Sequence, residues 1–173
     1  MTILKGMHMK NEISDKNIKI VSAKRKDCTH ISRFINDKSM GGILLKRSPK
    51  QILEMWKNFS LAMDGEKIIG IVGFKVRLDD QPEIISLAVS DVYRGMGIGT
   101  KLVEHSLGKI KERGFKIVFA LTTATRLFEK LGFKKVSIKK FPLKAWEDCR
   151  YCPRNLGGPD NPLCDEVALS KRL

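Results

Sequence analysis

The chain has 173 residues, 42% hydrophobic and 30% charged, and its 33 Lys and Arg against 19 Asp and Glu give a formal net charge of +14. That size suits one globular domain with its own core, and no apolar run approaches the ~20 residues that span a bilayer. The positive charge fits either a nucleic-acid binder or a site that draws in small anions, but the cations lie in short groups such as Lys24-Arg25-Lys26 and Lys134-Lys135, with no aromatic-rich RNA signature and no helix-turn-helix pattern beside them.

Residues 1–17 read as a flexible N-terminal tail, too polar after the first few positions for a signal peptide, and the expected compartment is the cytoplasm. Ile18-Lys19-Ile20-Val21 reads as a short strand. Asp27 is placed to cap a helix whose Ile31, Phe34 and Ile35 share one face. Gly41-Gly42 ends it, and Ile43-Leu44-Leu45 is extended. Ser48-Pro49-Lys50-Gln51 is a strong helix start, with Ser at the cap, Pro at the first helical position and Gln at the third. That helix is expected to bury Ile52, Leu53 and Trp56. Asp64-Gly65 between Phe59–Met63 and Lys67–Val76 signals a hairpin. Ile84 to Val89 forms a strand. Leu102, Val103, Leu107 and Ile110 line one face of a helix that Gly114 closes. Ile117 to Leu121 is a continuous apolar run suited to a central strand. Thr125 to Leu131 is a short helix, and Phe133 to Ile138 a last strand. The order β-α-α-β-β-β-α-β-α-β predicts an α/β (α+β) fold, a mixed sheet with helices on its faces.

The most telling stretch is Arg94-Gly95-Met96-Gly97-Ile98-Gly99-Thr100, between a strand and a helix. Glycines there let backbone approach a ligand without a Cβ in the way, and the helix N-terminus favours phosphate. The dinucleotide pattern G-x-G-x-x-G fails in either register, because its last position would be Thr100 or Leu102. The P-loop pattern fails too: Thr100-Lys101 has the wrong order and the glycines stand one residue too close. What remains is R-x-x-G-x-G. An ordinary glycine-rich turn stays open on these residues alone.

The loop resembles the pyrophosphate loop of the GNAT superfamily of N-acetyltransferases, which use acetyl-coenzyme A (acetyl-CoA). The resemblance runs from about Ile18 to Trp146 and includes Phe128-Glu129-Lys130-Leu131-Gly132-Phe133. It implies the GNAT fold, with a mostly antiparallel sheet and helices on both faces. It divides the chain into a tail at 1–17, an acetyltransferase domain at 18–146 and a Cys-containing C-terminal extension at 147–173 packed on that domain. Gly41 to Ser48, Glu83 to Val89, Val92-Tyr93-Arg94-Gly95, Leu121-Thr122-Thr123 and Phe128 are similar to the N-acetylglutamate synthase branch, in a short stand-alone form. That branch acetylates the α-amino group of L-glutamate in arginine biosynthesis, by direct attack in a ternary complex. The alternatives are another small amine or a protein amine as acceptor, and a basic interaction module with no activity.

The resemblance places acetyl-CoA on Leu87, Ala88 and Val89 through main-chain groups, on Arg94, Gly95, Met96, Gly97, Ile98, Gly99 and Thr100, and on Phe128. A fixed main-chain N–H at the thioester would stabilise the developing oxyanion. An amine acceptor arrives as ammonium and must lose a proton, and Glu83 is the candidate base. Period-two alternation puts Glu83, Ile85, Leu87 and Val89 on one face. A solvated glutamate at a strand edge is the competing reading. Phe128 stands where many relatives carry a tyrosine acid, and the synthase branch also has Phe there. An acidic acceptor needs cationic clamps, for which Arg47 and Lys46 are candidates, either of which could equally be a surface charge beside the Ser48 cap, and Arg126 is a third. The Arg and Ser of the usual synthase C-terminal segment are not found. The expected partner is a small-molecule amine; no membrane contact and no nucleic acid are expected, and a homodimer stays open. Cys149-Arg150-Tyr151-Cys152 and Cys164 could hold a structural zinc with Asp160, Asp165 or Cys28 as a fourth ligand, or remain packed thiols; a disulfide is disfavoured in a reducing compartment. Cys28 alone reads as a small buried residue.

Overall fold

A computed structural model describes residues 17–39, 44–77, 80–141, 147–152, 155–157 and 163–173. The readings on Gly41 to Ile43, on Trp146 and on Asp160 lie outside these. Seven strands form one sheet: β1 (Ile18–Ser22), β2 (Ser60–Asp64), β3 (Lys67–Val76), β4 (Pro82–Val89), β5 (Ile117–Thr122), β6 (Lys134–Lys135) and β7 (Val167–Arg172). Their spatial order is β1-β2-β3-β4-β5-β7-β6, and every neighbour pair is antiparallel except β4 with β5. The helices are α1 (Cys28–Ser39), α2 (Pro49–Met55), α3 (Ile98–Glu112) and α4 (Thr125–Lys130).

The apolar periodicities decide the layers. Leu102, Val103, Leu107 and Ile110 of α3 pack on one face of the sheet with Val72, Phe74 and Ile84. Ile31 and Ile35 of α1 and Ile52 of α2 pack on the other face with Phe59, Leu61 and Ile71. The α2 start is the predicted capping box: Ser48 Oγ accepts from Gln51 N at 3.2 Å, and Gln51 Oε1 accepts from Ser48 N at 2.8 Å. A smaller cluster joins Phe119 to Phe141, stacked at 3.9 Å between ring centroids.

Four local readings change. Asp27 sits in a 3-10 turn, Arg25–Asp27, where its carboxylate accepts from Lys24 N at 2.7 Å, so it caps that turn instead of α1. Leu53 is 41% exposed, because Ile52 already fills the inward position of this short helix. The predicted last strand shrinks to Lys134–Lys135, and a 3-10 turn follows at Ile138–Lys140. Its place beside β5 is taken by β7, which pairs along six positions from Ile117↔Arg172 to Thr122↔Val167. The C-terminal segment therefore supplies an interior strand.

The fourth change concerns β4. Ile85 pairs with Gly73 and Ala88 with Ile71, so two residues of β4 face one of β3. This bulge centres on Ser86, which carries φ +55, a left-handed conformation uncommon outside glycine. The extra residue flips the alternation. Glu83, Ile85 and Ala88 share the face of α1 and α2, while Leu87 and Val89 pack into the α3 core. The single face expected for Glu83, Ile85, Leu87 and Val89 does not form.

Candidate active site

β4 and β5 pair only at Glu83↔Phe119 and Ile84↔Ala120, then diverge. A cleft opens in the gap, lined by Ile84, Ile85, Ser86 and Leu87 from β4, Leu121 and Thr122 from β5, and Thr123, Ala124 and Phe128 beyond it. Leu44, Leu45 and Arg47 line it from the α1–α2 connection, and Asp148, Cys149, Cys152 and Glu166 from the C-terminal segment. Phe128 is buried, its ring edge-on to Phe133 at 5.1 Å.

The glycine loop stands at the open end of β4. Gly95 and Gly97 adopt φ +83 and +73, and a Cβ on either would meet nothing within 4 Å. Gly97 is the N-cap of α3, whose first N–H groups have no partner inside the helix. That is a backbone cradle suited to an anion. Arg94 is exposed and pairs with Asp91 at 2.8 Å, and Lys38 reaches the same carboxylate at 2.9 Å. The hydrogen bond and charge of Lys38, and then the charge of Arg94, hold Asp91 below its ordinary pKa.

Arg47 is fixed from both ends. Ser32 and Asn36 lie one turn apart on α1. The Ser32 hydroxyl and the Asn36 amide donate to the Arg47 carbonyl at 2.7 and 3.2 Å, and Arg47 N donates to Asn36 Oδ1 at 3.0 Å. Its side chain turns into the cleft, where Nε donates to the Ser86 hydroxyl at 3.1 Å. The bulge at Ser86 thus orients a cation as well as bending the strand. Burial lowers the Arg47 pKa, against the opposing pull of Asp148 and Glu83. Among the described residues Arg47 has no ion-pair partner. Lys46 and Arg126 are exposed and do not line the cleft.

Glu83 is 2% exposed, so the solvated-edge reading falls. Its Oε2 accepts from Nη2 of Arg77, a residue that sequence reasoning missed. The Arg77 side chain is only 1% exposed and binds three carboxylates: Glu83, Asp148 Oδ2 at 2.6 Å and Glu147 Oε2 at 2.7 Å. Burial opposes its charge, but Glu83 and Asp148 outweigh burial and raise its pKa. Lys75 adds contacts of 3.4 and 3.6 Å to Glu147 and Asp148. The signal was present in the hairpin: Lys75 pairs with Glu83, and Arg77 lies two residues on, on the same face.

Cys28, Cys149, Cys152 and Cys164 form no disulfide with one another. Cys149 and Cys152 line the cleft, Cys152 at the end of the 3-10 turn Cys149–Tyr151. Among the described residues no three His, Cys, Asp or Glu side chains gather to hold a metal ion. The zinc expected on Cys149, Cys152 and Cys164 is therefore not supported; a structural zinc needs about four converging ligands. Cys28 is buried in the α1 core, and burial, helped by Asp27, pushes its thiol pKa up. Among the described residues no helix is long and apolar enough to cross a membrane.

The family model of the GNAT acetyltransferases covers residues 42–133. The chain belongs to the GNAT acetyltransferase family. As a GNAT protein it is 35% identical over 152 residues to an uncharacterized N-acetyltransferase of Chlorobaculum tepidum, covering 88% of this chain and 94% of that one. It is 31% identical over 140 residues to the amino-acid acetyltransferase of Neisseria meningitidis, covering 80% of this chain and 32% of the relative. The N-acetylglutamate synthase of Neisseria gonorrhoeae, solved with coenzyme A and N-acetyl-glutamate, superposes with a TM-score of 0.75 at 29% identity. That match covers 90% of this chain and 35% of the other. This GNAT chain thus spans about a third of the length of the two Neisseria proteins.

Proposed function

We propose that this GNAT enzyme transfers acetyl from acetyl-CoA to the α-amino group of an amino acid, with L-glutamate the first acceptor to test. The observation that carries the amino-acid reading is Arg47. It is a cation oriented into the cleft by α1 and Ser86, with its guanidinium fork left for a ligand. A carboxylate matches that fork with two parallel hydrogen bonds. Likeness to the amino-acid acetyltransferase of Neisseria meningitidis supports the same reading.

The residues present fit acetyl-CoA. The open cradle at Gly95 and Gly97 and the amides opening α3 suit a pyrophosphate, with Arg94 adding positive charge. Main-chain groups of Leu87 to Val89, freed where β5 leaves β4, suit the pantetheine arm and the thioester carbonyl. Phe128 packs beneath that end of the cleft. Glu83, directly or through a water, takes the proton from the acceptor ammonium. The freed amine attacks the thioester carbonyl, the tetrahedral adduct collapses, and the coenzyme leaves as its thiolate, which takes up through solvent the second proton that the nitrogen sheds. Phe128 has no proton to give that thiolate.

The test is an acceptor panel: thiol release from acetyl-CoA with each of the twenty amino acids, and with simple amines and a peptide N-terminus. The reading expects release that depends on an amino acid, with Arg47→Met raising that acceptor's KM about tenfold or more. Release with amines or peptides but with no free amino acid would replace it by one of the alternative acceptors.

A further inference from the structure

We propose that Cys149 and Cys152 form a dithiol modification site in the cleft wall, which a low-molecular-weight disulfide such as glutathione disulfide converts to a bridge, and that the bridged enzyme transfers acetyl more slowly. The pair is a C-x-x-C motif that the acetyl-transfer chemistry above leaves unused. Among the described residues no metal-binding group forms around it.

Two observations bring the thiols together. Cys149–Tyr151 is a 3-10 turn, and Cys152 N donates to the Cys149 carbonyl at 3.2 Å. A bond between residues three apart holds their Cα atoms within about 7 Å, and side chains at that spacing in a 3-10 turn lie over one another. A disulfide spans Cα separations of about 4.4–6.8 Å, so the backbone needs little change to accept one. Independently, both residues line the same cleft. Cys28 is buried in the α1 core, and Cys164 does not line the cleft.

The two thiols differ in access. Cys149 is 9% exposed, whereas Cys152 is half-buried, so a small disulfide reaches Cys152 first. The Cys152 thiolate attacks one sulfur of glutathione disulfide, giving a mixed disulfide and one glutathione thiolate. Cys149 then attacks Cys152 Sγ, forms the bridge and expels the second glutathione. The protein loses two thiol hydrogens, and the oxidant is reduced to two glutathione thiols. The closed ring spans only Cys149 to Cys152, so it constrains the unfolded chain little and adds little stability. In a reducing compartment the pair rests as two thiols and a bridge of this kind is transient.

The turn is joined to the reacting end of the cleft. Cys149 follows Asp148, whose carboxylate accepts from Arg77 Nη2 at 2.6 Å, and the same nitrogen donates to Glu83. Drawing the two sulfurs to about 2.05 Å pulls on Cys149, and that pull passes through Asp148 and Arg77 to the proposed base. A misplacement of about 1 Å at a reacting centre costs up to about a hundredfold in rate.

The experiment incubates the full chain with glutathione disulfide and removes the oxidant. Mass spectrometry of alkylated peptides then maps the bridge, and acetylated product is followed with the best acceptor of the panel, of whatever class. A bridge between Cys149 and Cys152 is expected, with kcat/KM lower by about tenfold or more and restored by dithiothreitol. Cys149→Ser should halt at a glutathione adduct on Cys152. Cys152→Ser, compared with itself before and after oxidation, should not respond. Cys28→Ser and Cys164→Ser should respond as the wild type does. No bridge, or a bridge that uses Cys28 or Cys164, overturns the site. A bridge between Cys149 and Cys152 with kcat/KM unmoved overturns its effect on the rate, as does a Cys152→Ser variant that slows on oxidation as much as the wild type. A reduced chain that acetylates nothing in the panel overturns the rate claim together with the enzymatic reading, while mass spectrometry still decides the site.

Discussion

Gly97→Ala separates the cost of the loop's conformation from its role in binding. Gly97 holds φ +73, where an alanine costs about 1–2 kcal/mol. In a chain of this size each kcal/mol lowers Tm by about 2–4 °C, so a fall of about 2–8 °C is expected. That strain is present with and without ligand, so it cancels from the dissociation constant. The new methyl meets nothing in the protein within 4 Å, so any loss of binding reports a ligand backed against the loop. Gly65 is the control: it holds φ +58 at the β2–β3 hairpin, also with nothing within 4 Å of its Cβ. Gly65→Ala should lower Tm similarly and leave coenzyme A binding unchanged. Gly97→Ala should weaken binding by about tenfold or more, or about 1.4 kcal/mol. Thermal melts and calorimetric titration with coenzyme A measure both. Unchanged affinity in Gly97→Ala, or equal losses in the two variants, would refute the assignment of the loop to the coenzyme.

Ser48→Ala removes the α2 cap and should cost about 1 kcal/mol, read as a shifted denaturation midpoint; no shift would mean that water replaces the cap fully. Lys109 titrates at about 8, held down by burial and then by Arg113, below its ordinary value of 10.5. The folded state therefore sheds this proton before the unfolded chain does. Stability from this group rises as pH climbs from about 8 to about 10.5, and the penalty is fully present below that window. Lys109→Met should flatten the stability curve across that window, and an unchanged slope would show that the lysine is not desolvated.

Much of the site could be read in the sequence because its signals are local. The loop spacing, the Ser48 capping box and the α3 stripe each need only a few adjacent residues, and the structure keeps all three. What escaped depends on pairing between distant residues. The bulge at Ser86 follows from the register of β4 on β3, and it moves Leu87 and Val89 off the face of Glu83. Asp148 reaches Arg77 across 71 positions of sequence. No strand is predicted beyond Ile138, yet Ala168 and Leu169 are buried in β7, where β5 supplies the partner. The three cysteines suggested a metal by spacing alone; the structure gives Cys149 and Cys152 to the cleft wall.

The most direct test of the central claim is to follow product and thiol together. Wild-type enzyme, acetyl-CoA and L-glutamate are expected to yield N-acetyl-glutamate and free coenzyme A thiol in equal amounts, with Glu83→Gln lowering kcat about a hundredfold or more while coenzyme A still binds. Glu83→Gln with undiminished kcat, or thiol release without an acetylated amino acid, would contradict the account.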